Sequence, residues 1–108
     1  MSYNVLTIPP FDDQLKRLVK KYPSLKKEFA ALVTSLEITP KQGTAIGNNC
    51  FKIRIAIASK GSGKRGGGRI ITNIVVSDET VYLLAVYDKS EKNTVTEKEL
   101  FALLNRIQ

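Results

Sequence analysis

Residues 50–87, CFKIRIAIASKGSGKRGGGRIITNIVVSDETVYLLAVY, decide the fold of this chain. From Cys50 to Ala58 the side chains alternate with period two. Phe51, Ile53, Ile55 and Ile57 point one way, and Cys50, Lys52, Arg54 and Ala56 point the other. A glycine-rich loop over 59–68 then returns the chain into a second strand, from Arg69 to about Val76. Ser77-Asp78-Glu79 forms a hairpin-like connection to a third strand, from about Thr80 to Tyr87. The last two strands are apolar on both faces for much of their length, which predicts central positions in the sheet. The apolar side of the first strand is expected to pack under helices, leaving Lys52 and Arg54 on an exposed or concave sheet face.

The flanking segments supply those helices. Residues 3–8 read as a strand closed by Pro9-Pro10, and 11–22 as a helix with Phe11, Leu15, Leu18, Val19 and Tyr22 on one face. Pro23 breaks the run. A second helix from about Ser24 to Leu36 carries Leu25, Phe29, Leu32, Val33 and Leu36 as its stripe, with Ser24 a candidate N-cap. Both stripes read as core. Residues 38–49 are turn-rich. A last helix starts near Thr94 or Thr96, each with a glutamate three residues on, as a capping box requires. The expected order is β-α-α-β-β-β-α: an α+β fold with a helical hairpin packed on a mainly antiparallel four-stranded sheet. At 108 residues, one domain is expected over 1–108.

Charge separates the function classes. Between Glu37 and Asp78 stand seven cations, Lys41, Lys52, Arg54, Lys60, Lys64, Arg65 and Arg69, and no Asp or Glu. The whole chain has a formal net charge of +7. Clustered cations repel one another, so the cluster implies a visiting anion, of which nucleic acid is the commonest polymer. The plain alternative is a solvated basic loop, but the charges alternate into the strands on either side. With no His, the His-based nucleases and the Ser-His-Asp and Cys-His catalysts are excluded. A single Cys and no His make a structural zinc site untenable, and no ligand cluster calls for a metal or other cofactor. Lone Cys50 fits a reducing cytoplasm, and no N-terminal apolar run suggests a signal peptide or a membrane span.

The loop invites a phosphate-binding P-loop reading and fails it. Ala58 stands where the first Gly is needed, Arg65 where Ser or Thr must follow Lys64, and a strand follows instead of a helix. Its glycines still let the backbone approach a phosphate chain, with Lys60, Lys64 and Arg65 as RNA-binding cations. A flexible hairpin loop with incidental charge explains the loop equally well. Lys52 and Arg54 are two apart and share a face, and Arg69 opens the next strand. Three cations there could hold a scissile phosphate and the extra charge of its pentacoordinate state, with Lys52 a candidate base. A phosphate-binding surface without catalysis uses the same residues. Tyr87, at the end of the third strand, could stack on a base, donate a proton or simply pack, and Lys89 could contact phosphate.

The run FKIRIAIASKGSGKRGGGRIITNIVV followed by VYLLAVYDKSE resembles the RelE/ParE superfamily of bacterial type II toxins, most closely its RelE-like and HigB-like branches. The segment LKRLVKKYPSLKKEFAAL is similar to the helical hairpin of RelE-like members. The resemblance implies a microbial-ribonuclease-like domain that enters the ribosomal A site, against 16S rRNA, and cuts the mRNA there. The 2′-hydroxyl attacks the adjacent phosphate, leaving a 2′,3′-cyclic phosphate and a 5′-hydroxyl. It also implies a tightly bound cognate antitoxin. On the family pattern, Lys52 and Arg54 match the cationic pair after the helical hairpin, Arg69 the arginine on the scissile phosphate, and Lys89 the lysine of the strand-end motif. The chain departs from the best-known ribonuclease member at Ser90, where that member has Arg, and in having no Tyr over 92–108. Tyr87 or Lys89 would then take the acid–base roles. The departures leave open a ParE-like gyrase poison that does not cut RNA, and composition alone leaves open a non-catalytic RNA-binding domain.

Overall fold

A computed structural model describes residues 2–61 and 66–107. Its elements are β1 (Asn4–Thr7), α1 (Pro9–Lys21), α2 (Leu25–Ile38), β2 (Thr44–Gly47), β3 (Cys50–Ile55), β4 (Gly68–Val75), β5 (Thr80–Asp88) and α3 (Glu97–Leu104). They form a mixed sheet of five strands in the order β1-β5-β4-β3-β2, with β1 parallel to β5 and the other pairs antiparallel. The α+β class, the helical hairpin and the central place of β4 and β5 agree with the sequence reading.

The fifth strand is the main departure. β2 lies in the segment read as turns, and its chemistry is a hairpin signal of low hydrophobicity. Asn48 and Asn49 adopt left-handed backbone (φ 55° and 59°), which suits a two-residue turn between antiparallel strands. Asn73 on β4 fixes that turn, its Nδ2 donating to the Asn48 carbonyl at 2.9 Å, while the Ile74 amide donates to the Asn49 carbonyl at 2.9 Å. The prolines also act differently from the reading. Pro9-Pro10 opens α1 rather than closing a strand, because the first turn of a helix needs no amide donors there. Ser24 occupies the N-cap position of α2 but makes no capping bond. Its hydroxyl instead meets Glu28 at 3.0 Å and the Ser59 amide at 2.9 Å, tying the start of the glycine loop to the helical hairpin. Thr96 does form the capping box with Glu99.

One face of the sheet is core. Ile53, Ile55, Ile70, Ile74, Leu83 and Val86 join Phe11, Leu18, Leu25 and Leu36, all buried, with Phe11 against Phe29 at 5.6 Å between ring centroids. The other face carries Lys52 and Arg54 and is partly roofed by α3 through the buried Leu100. A bulge in β5 changes which residues reach this face. Ile71 pairs with Ala85 and Thr72 with Leu83, so Leu84 is the extra residue. Tyr82, five residues before Tyr87, would lie on the opposite face of a regular strand. The bulge brings it to the same one, opposite Asn73.

Gly43 sets where β2 meets β3. It has φ +90°, and a Cβ there would stand 2.2 Å from the Lys52 carbonyl oxygen. Gly43→Ala is expected to destabilise the protein by roughly 2–4 kcal/mol, from strained backbone plus overpacking. A lowered urea midpoint with an unchanged slope would show it, whereas an unshifted midpoint would refute the close approach.

Candidate nucleic-acid interface

The strand register builds the site. Arg54 on β3 pairs with Arg69 on β4, and Arg69 pairs with Tyr87 on β5, so the three lie side by side across the sheet. Lys52, two residues along β3, heads the next row, opposite Ile71 and then Ala85. Arg54 and Arg69 are thus like charges at directly paired strand positions. Arg54 is exposed and Lys52 half-buried. Arg69 and Tyr87 are buried, each only 6% exposed, rather than open on the surface. One Arg69 Nη1 bond goes to the Gly68 carbonyl at 2.9 Å.

Tyr87 is the chemically distinctive member. Its hydroxyl is buried and makes no hydrogen bond of ordinary geometry among the described residues. Burial pushes its pKa up, the Arg69 guanidinium and the Thr94 side chain pull it down, and Glu99 raises it. The net rise keeps the phenol protonated at neutral pH, which suits a proton donor and not a base. A buried polar hydroxyl without a partner is a group that a ligand can satisfy.

The remaining expected residues part company. Lys60, expected on RNA phosphate, turns inward instead. Its Nζ donates to Asp88 Oδ1 and to the Gly66 carbonyl, both at 2.5 Å, and its side chain is 14% exposed. Lys64 and Arg65 lie outside the described residues. Lys89 sits past the end of β5, its Nζ on Asn93 Oδ1 at 3.2 Å and its amide on the Gly67 carbonyl at 3.1 Å. The structure thus aligns Arg54, Arg69 and Tyr87 in one row with Lys52 beside it, and shows no contact of Lys89 with them.

Asp88 is the residue that sequence reasoning missed. It is fully buried and accepts from Lys60, from the Tyr22 hydroxyl at 2.7 Å, and from the Ser90 amide and hydroxyl at 3.0 and 2.8 Å. Burial alone would raise its pKa, but these donors together hold it well below the usual carboxylate range. The only sequence hint was one acid after the strand's apolar run, facing a loop with an excess of lysine. Among the described residues no group of three or more His, Cys, Asp or Glu side chains could hold a metal ion. No helix there is long and apolar enough to cross a membrane.

No family model matches the chain. Its fold matches solved structures of the E. coli toxin RelE. A double arginine-to-alanine mutant of RelE in the free state aligns over 100% of both chains with a TM-score of 0.66 and 14% identity. The isolated RelE toxin aligns over 99% of this chain and 100% of that one, with a TM-score of 0.58 and 14% identity. The fold is RelE-like, in agreement with the resemblance read from the sequence.

Asp88→Ala would strand the Lys60 ammonium in a buried site and is expected to cost roughly 3–5 kcal/mol. The folded carboxylate holds its proton less tightly than the unfolded one. Its contribution is therefore complete above about pH 4 and is lost as pH falls from there toward the folded-state value. Urea midpoints measured from pH 6 downward should fall steeply for the native chain and less steeply for Asp88→Asn. Parallel curves would refute the assignment.

Proposed function

We propose that the chain is the toxin of a type II toxin–antitoxin pair and acts as a metal-independent, ribosome-dependent endoribonuclease on mRNA in the A site. The observation that carries this reading is the Arg54–Arg69–Tyr87 row in a RelE-like fold. The row sets two guanidinium groups against each other and places a buried protonated phenol at their end. A phosphodiester presents oxygens that both guanidinium groups and the phenol can bond. The guanidinium groups donate hydrogen bonds to its oxygens and stabilise the added negative charge of the pentacoordinate state. Lys52, one row away, takes the proton of the attacking 2′-hydroxyl. The new bond joins the 2′-oxygen to phosphorus, the bond from phosphorus to the 5′-oxygen breaks, and the Tyr87 hydroxyl protonates that leaving oxygen. The products are a 2′,3′-cyclic phosphate and a 5′-hydroxyl end. Lys89 contacts phosphate at the strand end, and Lys64 with Arg65 adds loop contacts, while Lys60 holds the loop and contacts no RNA. An acidic antitoxin in the cytoplasm would neutralise the basic face.

The test is 5′-end mapping of cellular mRNA after a short pulse of expression. The native chain should create 5′-hydroxyl ends inside translated frames, and Arg69→Ala should remove them. Because Arg69 is buried, the exposed Arg54→Ala serves as a second variant. It should lower the cut frequency by about tenfold to hundredfold at an unchanged melting temperature. Growth arrest without new ends would replace this reading with a gyrase poison. No arrest at all would leave a basic RNA-binding domain.

A further inference from the structure

Gly66, Gly67 and Gly68 stand immediately before Arg69. Glycine has the widest backbone freedom of any residue, so this run is a loose platform for a side chain that has to meet one phosphate. Hydrogen bonds remove that freedom. The Gly66 carbonyl accepts from Lys60 Nζ at 2.5 Å, the Gly67 carbonyl from the Lys89 amide at 3.1 Å, and the Gly68 carbonyl from Arg69 Nη1 at 2.9 Å. The three successive carbonyls are all occupied, and the last of them holds the guanidinium itself. Lys60 is anchored in turn. Its Nζ also meets Asp88 Oδ1 at 2.5 Å, and Asp88 Oδ2 accepts from the Tyr22 hydroxyl, at the end of α1, at 2.7 Å. Asp88 is also the register partner of Gly68. A continuous line of contacts thus runs from α1 through Tyr22, Asp88 and Lys60 to the glycines that carry Arg69.

We propose that Lys60 is a positioning residue for Arg69: it touches no RNA, and it sets the rate of the phosphate chemistry by fixing the glycine backbone from which the guanidinium is held. The inference rests on the ribonuclease reading above and adds a residue to it. An arginine side chain has much rotamer entropy to lose, and a donor speeds a reaction only if it is already aimed where charge develops. A misplacement of about 1 Å can cost about a hundredfold in rate. The lysine ammonium has three donors on a long stem, so one group binds a carboxylate and a carbonyl together. The Lys60 side chain is 14% exposed, which commits its ammonium to the protein rather than to a polyanion. Asp88 supplies the counter-charge that keeps this desolvated ammonium protonated.

The test uses ribosomes stalled on an mRNA with an open A site and measures cutting in a single turnover. The double variant Lys60→Met with Asp88→Asn removes both charges of the pair at nearly constant volume. It should cut at least about tenfold more slowly at saturating protein, with an unchanged half-saturating concentration. Tyr22→Phe loses one bond to Asp88 and keeps the ion pair. It should slow cutting by about threefold in the same manner, and it decides the matter alone if the double variant does not fold. A lysine on a phosphate behaves differently, because its loss weakens RNA binding and lowers the salt slope by about one. Native-rate cutting by the variants, or a shallower salt slope for the double variant, would overturn the proposal. A second readout needs no ribosome: by NMR of the purified chain, the Arg69 Nε–H should exchange with solvent faster in both variants than in the native protein. Faster exchange in a chain that makes no mRNA cuts keeps the Lys60–Arg69 link and removes the nuclease. Unchanged exchange in a chain that does cut removes the link and keeps the nuclease.

Discussion

The row Ile55–Gly68–Asp88 governs everything built beside it. Gly68 lies so close to its neighbours that a Cβ would stand 3.1 Å from the Tyr87 carbonyl and 3.3 Å from the side chains of Ile55 and Ile57. A side chain there would push its neighbours by a few tenths of an ångström, so the glycine favours the observed register of β4 against β3 and β5. A slip by one residue would turn Arg54, Arg69 and Tyr87 to the helix-covered face and destroy core and site together. The buried Asp88 at the end of that row then gathers Lys60, Tyr22 and Ser90, which joins α1, the glycine loop and the end of β5. Its donors are worth having only because every lone pair they reach is desolvated, which is where such bonds matter most.

Cations in this chain are therefore of two kinds. Lys60 is neutralised by Asp88 and buried, and its work is mechanical. Arg17 and Lys21 meet Glu91 at 3.0 and 3.4 Å on the surface, where such pairs add little to stability. Arg54 and Arg69 are register partners on adjacent strands, the first exposed and the second buried. Three acids have structural work: Asp88 holds Lys60, Glu99 completes the α3 capping box, and Glu91 meets Arg17 and Lys21.

Much of this was legible in the sequence. The period-two run of β3, the apolar β4 and β5, and the two helical stripes announced the α+β layers, and the alternation of Lys52 and Arg54 announced a basic face. What escaped had physical reasons. β2 is a four-residue strand of small residues, stabilised by its turn and by Asn73 rather than by an apolar pattern. The β5 bulge cannot be seen in a strand whose faces are both apolar, because inserting one residue leaves the hydrophobic run unbroken. The Lys60–Asp88 pair spans 28 residues and depends on the chain between β3 and β4 lying against the end of β5. Composition counted Lys60 as surplus charge, and only the fold reveals its counter-ion.

The burial of Arg69 and Tyr87 changes the meaning of the basic face. A fully open guanidinium row would bind any polyanion and gain mainly in encounter rate, since water screens each contact. Burying Arg69 and the Tyr87 hydroxyl lowers the local dielectric, and there a bond to an anionic oxygen would be stronger and more directional. The same burial raises the pKa of Tyr87. Arg54 is open to any anion that approaches, whereas Arg69 and Tyr87 are reached only by a group whose shape fits the buried part of the row. A protein with a large positive charge needs such a division if it is to act on one phosphate among many.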